Sequence, residues 1–153
     1  MNKLTSTLLN TLKPIFELHD NIELIVAYSG GIDSQVLLHS LTQLKKNQLI
    51  SNKINVCHVN HCLSKNAEDW QEFTKHECAK LSVELIIKSV NVKTKAQQSL
   101  EALARDARYS ALKALRDNKS LVLTGHHSDD QSETFLLALK RGAGLKGLAA
   151  MTV

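Results

Sequence analysis

An apolar, β-branched run, Ile22-Glu23-Leu24-Ile25-Val26, passes through Ala27-Tyr28-Ser29-Gly30-Gly31-Ile32-Asp33-Ser34 into a helical pattern at Val36, Leu37, Leu38, Leu41 and Leu44. That order is strand, glycine turn, helix start. The junction is suited to an anion, because the free backbone N–H groups and the positive end of the helix dipole point into the loop. Paired glycines let the backbone approach a phosphate with no Cβ in the way. The hydroxyls of Ser29 and Ser34 add donors.

No lysine precedes Ser34, so this is not the mononucleotide loop that ends in Gly-Lys-Ser/Thr, and it is not the dinucleotide pattern Gly-x-Gly-x-x-Gly. An ordinary strand-to-helix turn with Ser or Asp as N-cap is the plainer alternative. Six specified positions in the right strand–helix context weigh against it. Ser-Gly-Gly-x-Asp-Ser resembles the pyrophosphate loop of the ATP pyrophosphatases, which split ATP into AMP and pyrophosphate.

The 153 residues suffice for one domain with one sizeable core. No apolar run approaches the roughly 20 residues that cross a bilayer. The start, Met1-Asn2-Lys3-Leu4-Thr5-Ser6, has neither the apolar core nor the cleavage site of a signal peptide. Three cysteines, an odd number, make no disulfide framework, which fits a reducing cytoplasm. A net charge of +4 and a pI near 9.0 permit a polyanionic partner without requiring one. Aromatic content of 4% offers no obvious stacking platform for single-stranded bases.

Along the chain, residues 4–19 read as a helix with Leu4, Leu8, Leu12, Ile15 and Phe16 at helical spacing, and Pro14 placed to kink or split it. A strand over 22–28 leads into the loop and a helix ending near Lys46. Lys53 to Val59 alternates as a second strand, and 60–64 is a loop at its C-terminal end. Asn66 is placed to cap a helix reaching Leu81, with Ala67, Trp70, Phe73, Cys78 and Ala79 as candidate buried positions. Val83 to Val90 is a third strand and the polar run 91–98 a mobile loop. A long helix follows over 99–118, its apolar stripe Leu100, Leu103, Ala104, Ala107, Ala111, Ala114 and Leu115. Ser120 to Thr124 is a fourth strand, 125–127 a turn, and a last helix begins near Asp129. Gly142-Ala143-Gly144-Leu145-Lys146-Gly147 is a glycine-rich basic loop.

Strands alternating with helices of ten residues or more imply right-handed crossovers. The expected fold class is therefore α/β, a mostly parallel sheet with helices on both faces in three layers. Ligands in such folds bind at the carboxyl ends of the strands. Ser29, His58 to His61 and Gly125 to Asp130 all lie at such ends, so three distant segments converge on one edge.

Gly125-His126-His127-Ser128-Asp129-Asp130-Gln131-Ser132-Glu133-Thr134 concentrates acid and imidazole at a helix start. Asp130 and Glu133 are three apart and share a face. Such carboxylates can hold Mg²⁺ or grip an amine. Ser128 with Gln131 equally fits a capping box, and first-turn acids complement the dipole. Glu101, Arg105 and Arg108 line one face of the long helix; by spacing alone, a weak surface ion pair between Glu101 and Arg105 is preferred to a cationic pair facing phosphates. Cys57-His58-Val59-Asn60-His61-Cys62 lacks the usual spacing of a zinc site, and Cys57 and Cys78 are more simply small buried hydrophobes.

With these clusters together, the chain resembles the N-terminal catalytic domain of the tRNA(Ile)-lysidine synthetases, over Ala27–Ser34, His58–His61, Glu101–Tyr109 and Gly125–Met151. Cys62 and Ser64 depart from that pattern, where glycine and arginine are usual. The resemblance implies an adenine-nucleotide α-hydrolase-like domain and a ligase. ATP would adenylate the C2 oxygen of the wobble cytidine, releasing pyrophosphate, and the amine of lysine would displace AMP to give lysidine, so that the tRNA decodes AUA. It implies ATP and Mg²⁺ as cofactors. The partners it implies are the tRNA(Ile) with a CAU anticodon and free L-lysine, with no membrane and a homodimer left open. By resemblance Ser29, Gly30, Gly31, Ile32, Asp33 and Ser34 would hold the nucleotide and Asp33 the metal. Arg105 would balance phosphate charge, His126 would lie beside the base, and Asp130 and Glu133 would serve lysine. Residues 1–153 would then be one catalytic domain, truncated, without the tRNA-gripping C-terminal domains. The alternatives are a tRNA thiolase or amide-forming synthetase of the same fold, or a non-catalytic ATP-binding module. The absence of a Cys-x2-Cys motif counts against the thiolase, and the acidic run at Asp129 against the non-catalytic module.

Overall fold

The computed structural model describes residues 3–61, 66–90, 100–115, 117–126 and 128–140. Helix α1 (Lys3–Leu18) precedes strand β1 (Glu23–Ala27), and the chain then alternates through α2 (Ile32–Lys46), β2 (Ile54–Asn60), α3 (Ala67–Leu81), β3 (Glu84–Ser89), α4 (Leu100–Lys113), β4 (Ser120–Thr124) and α5 (Ser128–Lys140). The expected 91–98 loop, Ser99 and the glycine-rich run 142–147 lie outside the described residues, as do Cys62 and Ser64.

The four strands form one parallel sheet in the order β3-β2-β1-β4. Two crossovers through α2 and α3 step the chain from β1 to β3, and the third, through α4, carries it back across to the far side of β1. Right-handed crossovers in opposite directions deposit their helices on opposite faces. The side chains follow that rule. Leu24 and Val26 of β1 and Ile54 and Val56 of β2 join Leu38, Leu41 and Leu44 of α2 and Cys78 of α3 in one cluster, which α1 closes with Leu9 and Leu12. On the other face Ile25, Cys57 and Val59 meet Leu112 of α4. β2 is buried along its whole length, as a central parallel strand is, and its polar residues Asn55, His58 and Asn60 are buried with the apolar ones. The expectation that Cys57 and Cys78 are buried holds.

Local chemistry sets the element ends. α2 and α3 both finish in Schellman turns without glycine, with Gln48 (φ 58°) and Ser82 (φ 54°) in the left-handed conformation. Leu49 N–H donates to the Leu44 carbonyl at 3.0 Å and Val83 N–H to the Cys78 carbonyl at 3.1 Å. The long helix stops at Lys113, short of the expected 118, because Asp117 builds a turn there. Lys119 N–H donates to its carboxylate at 2.8 Å, and its own N–H donates to Ser120 Oγ at 2.9 Å. α1 is a single helix through Pro14, so the expected split does not occur; Leu9 and Leu12 anchor it in the core.

Several side-chain placements differ from expectation. Trp70 and Ala79 of α3 are exposed, because the helix buries the narrow line of Thr74 and Cys78 instead. Thr74 tolerates complete burial by donating its hydroxyl to the Trp70 carbonyl at 2.8 Å. Asn66 occupies the start of α3 without a side-chain capping bond. Among the described side chains of α4 the deepest is Leu112, absent from the expected stripe, whereas Ala114, just past the helix, is exposed.

Leu38 is fully buried between α2 and the sheet. Leu38→Ala should lower the unfolding free energy by about 2–5 kcal/mol, the loss expected when a core leucine leaves a cavity. Urea unfolding of both proteins measures it, and a change under about 1 kcal/mol would place Leu38 outside the core.

Candidate functional site

The parallel sheet gathers the ends of β1, β2 and β4 at one edge. β1 is the switch point, since the chain leaves it towards β2 on one side and returns to it as β4 on the other. Such a point opens a crevice between the flanking loops. A cleft of about 270 Å³ lies there, bounded by the loop after β1, the end of β2, the start of α5 and one turn of α4.

The first wall is the Ser29–Ser34 loop. Tyr28 anchors it: its N–H donates to the Cys57 carbonyl at 2.8 Å, and its ring is buried, which pushes its hydroxyl up to about 12, with Glu77 and Cys78 adding. Gly30 then turns the chain with φ +85°, a conformation in which glycine escapes the penalty other residues meet. Gly31 is the N-cap of α2 and provides no side-chain cap, so the first turn presents its amides with the positive end of the dipole. The hydroxyls brace the loop. Ser34 Oγ donates to the Gly31 carbonyl at 2.8 Å and lies 3.2 Å from Ser29 Oγ, while Gln35 Nε2 donates to the Gly30 carbonyl at 3.2 Å.

The second wall comes from β4. A Cβ on Gly125 would lie 2.8 Å from Ser34 N and 2.9 Å from Asp33 C, so the backbone after β4 rests directly on the first turn of α2. That contact requires glycine and brings His126 and Asp130 to the Ser29–Ser34 loop. His126 Nδ1 lies 3.1 Å from Thr124 Oγ1.

The third wall comes from β2 and α4. His58 is buried and donates Nδ1–H to the Tyr28 carbonyl at 3.0 Å, tying the end of β2 to the loop after β1. His61 Nδ1 is buried with no hydrogen-bond partner among the described residues. Burial, Arg108 and His58 together hold its pKa below the ordinary imidazole value. Arg108 and Tyr109 face the same space.

Ser29, Gly31, Asp33, Ser34, His126 and Asp130 therefore meet in one cleft, as the strand-end argument expected. Other expected residues stand elsewhere. Gly30 is behind the loop against Trp70, and Ile32 is 74% exposed. Arg105 does not line the cleft; its guanidinium lies 5.4 Å from the centre of the Tyr109 ring, and Arg108 takes the wall position. The geometry of α4 explains this: Leu112 is in the core, Arg108 is one turn out at the strand ends, and Arg105 a further turn beyond. Glu133 is exposed on α5 and does not line the cleft. The side chains of Glu101, Ser128 and Gln131 lie outside the described residues, and with them the Glu101–Arg105 pair and the capping box. His58 and His61 also line the cleft, as their place at the end of β2 led one to expect, whereas Arg108, which spacing alone ranked below a surface ion pair, and Tyr109 beside it are the wall residues that α4 adds. Among the described residues no three His, Cys, Asp or Glu side chains gather as a metal site.

Comparison with known proteins bears on this geometry. The family described as the PP-loop domain matches residues 2–153. The chain is similar to the tRNA(Ile)-lysidine synthase of Edwardsiella ictaluri (strain 93-146), 49% identical over 128 residues, which cover 84% of this chain and 29% of that protein. It is 42% identical over 152 residues to the synthase of Yersinia pseudotuberculosis serotype I, covering 99% of this chain and 33% of the other. The chain thus spans about a third of the length of these relatives. Among solved structures, a U34-tRNA thiolase from Methanococcus maripaludis superposes with a TM-score of 0.72 at 18% identity, over 94% of this chain and 51% of that one. An NH3-dependent NAD synthetase from Campylobacter jejuni does so with a TM-score of 0.59 at 20% identity, over 97% and 77%. These two likenesses show the shared fold.

Two consequences can be measured. Gly125→Ala must force β4 and α2 apart and should cost about 1–3 kcal/mol in a urea titration, as overpacking does; a neutral result would deny the close contact. His61 should titrate below 6.5 by NMR. Its folded form favours the neutral ring, so its contribution to stability is present above the unfolded pKa and lost as pH falls through the folded one. His61→Gln should flatten that acid-side decline, and an unchanged pH profile would place the ring in ordinary solvent.

Proposed function

The chain belongs to the PP-loop domain family, and on that membership we propose that it forms the ATP-binding catalytic part of a tRNA(Ile)-lysidine synthase. The observation that carries the proposal is the convergence of the Ser29–Ser34 loop with Asp130 and Arg108 in one cleft at the sheet's switch point. The relatives at 42–49% identity support lysidine formation over the other chemistries of the fold.

In this reading the amides of Gly31 and the first turn of α2, with the Ser29 and Ser34 hydroxyls, hold the pyrophosphate end of ATP. The C2 oxygen of the wobble cytidine attacks the α-phosphorus, and the bond to the β-phosphate bridge breaks with release of pyrophosphate. The amine of free lysine then attacks C2 and expels AMP, leaving lysidine. Arg108 offsets charge on the phosphates as the bridge breaks, with Arg105 one turn further out. His126 flanks the base. An ammonium is no nucleophile, so Asp130 in the cleft, with Glu133 one turn along the same helix, accepts hydrogen bonds from the lysine amine and takes its proton. Asp33 and Asp130 line the same cleft as the phosphate loop, which fits Mg²⁺, an ion that takes one or two carboxylates plus phosphate oxygens. Mg²⁺ would supply charge neutralisation there, held by Asp33. The partners are a tRNA(Ile) with a CAU anticodon and free L-lysine. The setting is cytoplasmic; no described helix is long and apolar enough to cross a membrane.

Incubating the full-length protein that carries this domain with ATP, lysine and the tRNA should yield lysidine on nucleoside analysis, with AMP and pyrophosphate as co-products. Cleavage to ADP and phosphate, or AMP release indifferent to both tRNA and lysine, would overturn the proposal. Asp33→Ala should abolish ATP–Mg²⁺ binding by calorimetry. Asp130→Asn and Glu133→Gln should raise the KM for lysine by about tenfold to a hundredfold, since each removes charge-assisted bonds worth roughly 1.5–3 kcal/mol. Adenylation of the tRNA should suffer less. Its collapse with an unchanged dependence on lysine would hand these carboxylates to the metal.

A further inference from the structure

Trp70 is the single tryptophan of the chain, and its position serves no core. It stands 49% exposed at the N-terminal end of α3, one turn above the buried Thr74. Its ring meets Phe73 edge-on, with centroids 6.0 Å apart and planes at 88°. Its benzo edge lies against Gly30: a Cβ built there would stand 3.1 Å from Trp70 Cε3 and 3.4 Å from Cζ3. Gly30 is also the one described glycine with positive φ, and its carbonyl accepts from Gln35 Nε2 at 3.2 Å. The turn that aims the Ser29–Ser34 loop is thus held on one side by an aromatic edge and on another by an amide.

We infer that Trp70 is a positioning residue for the phosphate loop, fixing the left-handed turn at Gly30 so that the loop's amides are preset for the pyrophosphate portion of the nucleotide. A glycine at positive φ has several accessible conformations, and each lost one must be offset when ligand binds. A rigid ring bearing on the glycine removes that freedom in advance, and preorganisation of this kind appears as affinity for the group the loop grips. Gln35 constrains the carbonyl of the same residue from within the first turn of α2, directly after the loop. The T-shaped contact with Phe73 keeps the indole from swinging into solvent.

The inference rests on the loop's binding pyrophosphate, and the test separates the two. Calorimetry would measure inorganic pyrophosphate with Mg²⁺, ATP with Mg²⁺, and AMP, on the wild-type chain and on Trp70→Ala, Trp70→Phe and Gln35→Ala. Trp70→Ala should weaken pyrophosphate and ATP by about fivefold or more and AMP by less than about twofold, because AMP lacks the groups the loop holds. Trp70→Phe, which retains an aromatic edge, should recover most of the loss. Gln35→Ala should show the same selective pattern. The indole is also its own reporter: saturating pyrophosphate should shift or quench wild-type emission, with a midpoint equal to the calorimetric one. Equal weakening of ATP and AMP in Trp70→Ala would reduce the residue to general stability, and no weakening or a silent fluorescence titration would remove it from the loop. If the wild-type chain binds no pyrophosphate, the underlying reading of the loop fails instead.

Discussion

The hydrogen-bonded pairing of β1 on both its edges is the constraint on which the molecule depends. Leu24 to Ala27 pair with Ile54 to Cys57 on one side, and Glu23 to Ala27 with Ser120 to Thr124 on the other. A strand so placed is covered by helices on both faces, and its only free direction is forward into the loop. The loop inherits that rigidity. Tyr28 extends the pairing one residue past β1, and His58 then locks the Tyr28 carbonyl from the neighbouring strand. The glycine turn, only a few residues long, starts from a nearly fixed point and ends on a helix whose inner face is sunk in the core at Leu38, Leu41 and Leu44.

Periodicity and chain order alone fix which segments share the strand-end edge. Parallel strands put all their C-terminal ends on one edge, so Ser29, His58 and Gly125 could be brought together without knowing a single contact. What the sequence could not show was rotation about helices. A stripe of alanines on the long helix is consistent with several orientations, and packing chose the one that sinks Leu112. That choice, not the spacing of Glu101, Arg105 and Arg108, decides which arginine meets the cleft. Trp70 illustrates the same blindness. Its helical spacing from Cys78 suggested burial, yet α3 begins at the strand ends, so a residue in its first turn reaches beyond the sheet to the glycine loop.

The contact between Gly125 and the start of α2 is of a different kind, because the residues are distant in sequence and the signal is a missing atom. A glycine after a strand reads as a turn. Its real role is steric: a Cβ would strike Ser34 N and Asp33 C, so the two walls of the cleft touch through backbone alone. For His61 chain order gives the place at the end of β2 but not the surroundings. Its buried nitrogen and depressed basicity arise from Arg108 and His58, which reach it from other elements.

The opposite edge of the sheet holds a separate assembly. Lys53 spans Glu84 at 2.8 Å and Glu23 at 3.7 Å, and Asn55 donates to Glu23, so the starts of three strands are laced by charge. Strand direction keeps these groups a full strand length from the cleft. The protein is thereby divided into two ends: a foundation, where Lys53 and Asn52 tie the strand starts together and Ile50 is sunk in the core, and a working end, where one added methyl group is felt. One pole is clasped by charge and the other by bare backbone, an asymmetry that arises because all four strands point the same way.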